Sequence, residues 1–145
     1  MKPTRLLFIS ILLSCTFLIA SCGGEAKPYT TIHGQLLTKI DTRNNNVHIK
    51  GLAPSTLVMV SDYEYRIEDN NMHIKVMLIY YKYGKSKDVD FRKPLPDNIE
   101  RIFIEDEKNS VMIWEKSQGY GEFDIKDKWE EELLRLYDTK KPGDL

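Results

Sequence analysis

The chain has 145 residues, with 21 Lys and Arg against 22 Asp and Glu, and 10% of its residues are aromatic. A balance this even, with its basic residues scattered, excludes the clustered positive face that nucleic-acid binding requires. The length suits one domain with a real core, and both cysteines, Cys15 and Cys22, lie near the start, which leaves the rest of the chain without a disulfide or a thiol nucleophile.

The first element in chain order is a leader. Lys2 and Arg5 precede an apolar run from Leu6 to Ala20 that is broken only by Ser10, Ser14 and Thr16. Such a run has the length of a secretory h-region and falls short of the ~20 apolar residues that cross a bilayer as a helix. It ends in Leu18-Ile19-Ala20-Ser21-Cys22-Gly23-Gly24, which resembles the lipobox of bacterial lipoproteins: an aliphatic residue, two small residues, then cysteine. The resemblance covers residues 1–24. It implies that residues 1–21 are a lipoprotein signal peptide and that Cys22 is the lipid-attachment residue, joining the mature chain to membrane lipid through more than one acyl chain. Gly23 and Gly24, where retained lipoproteins often carry Asp, imply an outer-membrane lipoprotein facing the periplasm or the cell surface.

Residues 22–28 read as a flexible tether. From Tyr29 onward, short runs rich in Ile, Val, Tyr and Thr alternate with polar residues and are punctuated by Asn, Asp, Gly and Pro. Strands are expected near 30–40, 46–52, 56–68, 72–83, 88–92, 100–105 and 110–116. About seven strands predict an all-β fold over 29–121: a single antiparallel β-sandwich, immunoglobulin-like or a small barrel, followed by a C-terminal α-helix and tail over 122–145.

Two stretches nearly repeat each other: Asn44-Asn45-Asn46-Val47-His48-Ile49-Lys50 and Asp69-Asn70-Asn71-Met72-His73-Ile74-Lys75. Asn tolerates the positive φ of tight hairpin turns, so each stretch reads as a turn followed by a strand start, with His and Lys on the outward parity. A zinc site would instead need His48 and His73 on adjacent strands with a third ligand, His33 being the obvious one. Strand starts are the simpler reading, and no metal is expected. A second hairpin runs from Arg101 to Trp114 through Asp106-Glu107-Lys108-Asn109, where Glu105 and Asp106 read as solvated turn charge. Lys93-Pro94-Leu95-Pro96-Asp97-Asn98 cannot continue a ladder through its two prolines and reads as a crossing between sheets.

Past Gly121 the period changes. Trp129, Leu133, Leu136 and Tyr137 follow one helical face, and Asp127 three residues before Glu130 has the form of a capping box. So short a helix must lay its stripe against something, with the chain's own sandwich the first candidate and a partner the second.

The chemistry is sparse. No glycine-rich phosphate loop, zinc helix or nucleophile elbow is present, so neither catalytic residues nor a cofactor are expected. Tyr63, Tyr65, Tyr81 and Tyr83 cluster on two strands predicted to pair, and outward-facing members would form a partner-binding strip. The expected function is therefore a membrane-anchored, non-enzymatic binding module for an envelope protein or glycan, such as an inhibitor, an immunity-type protein or an assembly partner. A carrier of an apolar ligand or lipid in a barrel-like cavity is the alternative, and a hydrolase the third.

Overall fold

The computed structural model describes residues 27–138. The leader, the lipobox with Cys22 and the tail after Asp138 lie outside the described residues. Nine strands and one helix follow in order: β1 Tyr29–Thr30, β2 Leu36–Asp41, β3 Asn46–Leu52, β4 Val58–Glu68, β5 Asn71–Tyr80, β6 Asp88–Pro94, β7 Arg101–Glu105, β8 Ser110–Glu115, β9 Glu122–Asp124 and α1 Lys126–Asp138. They form two sheets with a shared core, an all-β sandwich carrying one C-terminal helix.

In the first sheet β5 is central. One of its edges pairs with β4; the other is shared end to end by β7, beside Asn71–Ile74, and β1, beside Met77 and Leu78, with β8 outside β7. The second sheet has the order β6-β3-β2-β9. Alternation along the strands supplies the core: Met72, Ile74, Val76 and Leu78 from one sheet meet Leu37, Ile40, Val47, Ile49 and Phe91 from the other. A register shift at Val60/Asp62 in β4 accompanies an antiparallel bridge from Val60 to Ser86, which ties the edge of the first sheet to the segment that enters β6.

Several expectations need correction. The strand expected over 30–40 is two strands, because Gly34 at φ 76° turns the chain between β1 and β2. The strand expected over 72–83 stops at Tyr80. β9, three residues too short to show a period, adds an edge to the second sheet, so the β fold extends past residue 121. The pairing is not wholly antiparallel: β5 and β7 run parallel, because β6 and the crossing at Pro94–Asn98 return the chain to the first sheet in β5's direction. Pro94 itself ends the edge strand β6, where no ladder donor is needed.

Helix α1 packs on its own fold beside β2. Trp129 and Leu133 are buried, and the Trp129 indole N–H donates to the Gln35 carbonyl at 2.7 Å. Its start lies earlier than the Asp127 capping box predicts. The Asp124 carboxylate accepts the Lys126 N–H at 3.0 Å, and the Ile125 carbonyl accepts from Trp129 N–H at 2.8 Å.

Candidate functional site

The two near-repeats build the two most organised polar clusters of the molecule. Asn44 and Asn45 take φ of 55° and 54°, Asp69 and Asn70 of 49° and 60°, the paired left-handed conformation of a type I′ hairpin turn. In each, the next Asn amide donates back across the turn, Asn46 to the Asn44 carbonyl at 2.7 Å and Asn71 to the Asp69 carbonyl at 3.2 Å. The strand then buries Val47 and Ile49, or Met72 and Ile74, completely. Strand alternation therefore sends His48 and His73 to the outer faces of opposite sheets.

On the first sheet His73 faces Arg66 across the ladder and stacks on Phe103, with ring centroids 5.0 Å apart and planes 9° off parallel. Its Nδ1 lies 3.1 Å from Glu105, whose other oxygen is held by the Arg66 guanidinium. Glu105 is only 7% exposed, which corrects its reading as solvated turn charge. Burial pushes its carboxyl up, but the hydrogen bonds and charges of Arg66 and His73 outweigh that and hold it below the ordinary value. Asp106 is likewise a structural group, accepting backbone N–H bonds from Ile32, Lys108 and Asn109. Glu64, Tyr65, Arg66, His73 and Lys75 line an open hollow of about 240 Å³ over this cluster.

On the second sheet His48 Nε2 lies 2.6 Å from Asp90, which also accepts from Arg92 at 2.9 Å. The Arg92 hydrogen bond, with His48 adding, keeps the Asp90 carboxyl low. The same face carries a chain of ion pairs from Asp41 through Arg43 and Glu122 to Lys39. Hydrogen bonding to Arg43 lowers Asp41 to about 2.

Both clusters have the composition His, carboxylate, Arg. In each the carboxylate is engaged by a guanidinium, and among the described residues each imidazole is paired with that carboxylate rather than with a hydroxyl. This is the geometry of a fixed ionic surface; a nucleophilic triad would put the imidazole against Ser or Thr. His33 sits apart in the turn before β2, its ring 4.7 Å from that of Tyr137. The three histidines thus occupy three separate places. Among the described residues no group of three or more His, Cys, Asp or Glu side chains is arranged to hold a metal ion.

The four tyrosines do not form one strip. Tyr63 and Tyr65 lie opposite Val76 and Ile74, on the core-facing parity of β4, and both set their rings edge-on to Phe91, at 5.5 and 5.9 Å. The Tyr63 hydroxyl accepts the Asp90 backbone N–H at 2.7 Å. Tyr65 remains partly exposed, with the Lys93 ammonium 5.4 Å from its ring centre. Tyr81 and Tyr83 stand in the loop after β5, 65% and 94% exposed.

No protein-family model matches the chain, and comparison with curated proteins and with solved structures returned no match. Function must be read from the chain's own residues. Sequence pattern alone missed the Arg66–Glu105–His73 cluster, because Arg66 and Glu105 are 39 residues apart and meet only through β5 between them. The one local signal was a carboxylate directly following the apolar Ile102-Phe103-Ile104 run.

Proposed function

We propose that this chain is a bacterial lipoprotein acylated at Cys22 whose sandwich acts as a non-enzymatic binding module for a protein or glycan of the cell envelope. The observation that carries the reading is the outer face of the first sheet. There Arg66, His73 and Lys75 line one open hollow on two long paired strands, His73 stacks on Phe103, and Glu105 beneath holds the guanidinium and imidazole in place. An aromatic surface beside donors on rigid strands binds well because little side-chain freedom remains to be lost. Arg66 and Lys75 are already paired with Glu68, Glu105 and Glu107, so the hollow presents mixed donors and acceptors, which suit a hydroxyl-rich ligand. A core filled by Trp114, Trp129, Phe91 and aliphatic side chains speaks for binding on the surface over storage inside. Among the described residues no helix is long and apolar enough to cross a membrane; the acyl group on Cys22 supplies the attachment.

Two measurements test this in the native host. Growth with an alkyne-bearing fatty acid labels the wild type and leaves Cys22→Ser unlabelled; equal labelling of both overturns the anchoring. Crosslinking and pull-down from the envelope recover a partner whose yield falls in Arg66→Ala and Lys75→Ala. Recovery of no partner, with lipid bound in the purified protein, overturns the binding module in favour of a carrier.

A further inference from the structure

The sandwich has two unlike ends. At one lie the hairpin turns at Asn44-Asn45 and Asp69-Asn70, together with the crossing loop. Asn98 donates to Asn70 there and Leu95 N–H to the Asn45 carbonyl, giving a polar, asparagine-rich surface. At the other end lie the β3–β4 loop and the β5–β6 loop, joined where Tyr81 N–H donates to the Leu57 carbonyl at 2.8 Å and Ala53 N–H to the Lys87 carbonyl at 2.8 Å. This second end exposes Leu52, Leu57, Tyr80, Tyr81 and Tyr83. Interleaved with them are Lys82, Lys85 and Lys87, with the acids Asp88, which accepts from the Ser86 hydroxyl, and Asp62, which follows Ser61, beside them. One of the lysines, Lys85, reaches back to the Ser61 carbonyl.

The chain enters the fold at this same end. Tyr29 pairs with Leu78, Thr30 with Met77, and the Tyr29 ring lies 5.7 Å from that of Tyr80. Only six residues separate Tyr29 from Cys22. Fully extended they span at most ~25 Å, and β1, antiparallel to β5, points them past Tyr80 and away from the asparagine-rich end, which lies ~23 Å back along the strand from Leu78 to Asn71. Whatever holds Cys22 is therefore near the tyrosine–lysine end.

We infer that the Leu57, Tyr80, Tyr81 and Tyr83 end, with its three lysines, docks on the anionic headgroup layer of the membrane that carries Cys22 and so sets the domain's orientation. Tyrosines with apolar rings and polar tips belong at the headgroup level, leucine enters the acyl boundary, and lysines are drawn to anionic lipid. The docked domain turns its asparagine-rich end away from the bilayer and keeps both histidine faces upright and accessible. The inference rests on the acylation of Cys22 proposed above.

The test uses the mature, acylated protein reconstituted in vesicles of phosphatidylcholine and phosphatidylglycerol. Cys15 leaves with the leader and the Cys22 thiol is acylated, so one introduced cysteine takes a nitroxide label cleanly. Thr56→Cys, beside Leu57, and Asn46→Cys, at the far end, report the two ends without removing a docking residue. Expected is a several-fold higher ratio of oxygen to nickel-chelate collisions at position 56 than at position 46. Equal ratios on a protein shown by intact mass to be acylated overturn the docking alone. An unacylated Cys22 overturns the anchoring and, with it, this orientation.

Discussion

The indole N–H of Trp129 donates to the backbone carbonyl of Gln35, 94 residues earlier in the chain, at 2.7 Å and out of contact with water. This bond fixes the helix against the turn that begins β2. Trp129→Phe keeps most of the ring but leaves the buried carbonyl unpaired, at a cost of about 1–3 kcal/mol. Trp129→Ala also opens a cavity, at about 3–5 kcal/mol. Denaturant midpoints check both, and an alanine variant as stable as the wild type would show that the helix contributes nothing to the sandwich.

The type I′ turns give a second expectation. Asn45 sits at φ 54°, a conformation that costs a β-branched residue about 1–2 kcal/mol, so Asn45→Val should destabilise by that amount. Asn45→Gly should be neutral or slightly stabilising, since glycine adopts this conformation freely. Thermal melts of the pair discriminate: two variants with the same midpoint would rule out turn strain as the cause.

Gly51 is required by close approach. A Cβ there would collide with the Leu36 carbonyl oxygen and lie 2.9 Å from Leu37 Cδ2, next to the register shift of β2. Gly51→Ala should cost about 1–3 kcal/mol through forced displacement of backbone. Calorimetry of the single variant is sufficient, and an unchanged melting temperature contradicts the packing described.

Acid should unfold the domain through carboxylates that are structurally engaged. Glu105 and Asp106 are both pushed up by burial, yet their partners prevail and hold each below its ordinary value. A carboxyl whose folded pKa lies below its unfolded one adds stability in full above the unfolded value, about 4, and loses it as pH falls toward the folded one. Stability should therefore be level down to about pH 5 and fall below about pH 4, with Glu105→Gln flattening that fall. The same variant should cost about 1–2 kcal/mol near neutrality, where Arg66 and His73 lose their anion. Melts across this range decide the matter; an acid limb of unchanged slope in Glu105→Gln would remove Glu105 from the account.

What was legible in the sequence was local. Strand β3 runs from Asn46 to Leu52, as its alternation predicts, and the Asp69-Asn70 turn takes the conformation that asparagine and aspartate tolerate best. The proline crossing also carries the chain from one sheet to the other, for the reason that proline cannot donate. What was not legible depends on distant partners. Nothing near Glu105 announces that Arg66 will cover it. No feature of Arg101–Ile104 announces a parallel neighbour, and Glu122-Phe123-Asp124 is too short for any period to register. The tyrosines illustrate both cases, since a parity rule groups Tyr63 with Tyr65 correctly but cannot know that β5 ends at Tyr80 and leaves Tyr81 and Tyr83 in a loop.

Tyr63 deserves a different description from that of a contact residue. β6 is the outer strand of its sheet, and an outer strand presents unpaired amides to any passing chain. The Asp90 amide is already spoken for by the Tyr63 hydroxyl, which bars that position to an incoming strand. Edge-to-edge pairing of such strands is a short route to aggregation. Tyr63→Phe, which keeps the ring on Phe91 and frees the amide, should leave the fold intact while shortening the lag before light scattering rises at high concentration. By this account one phenolic oxygen protects the chain's neighbours more than it stabilises the chain itself.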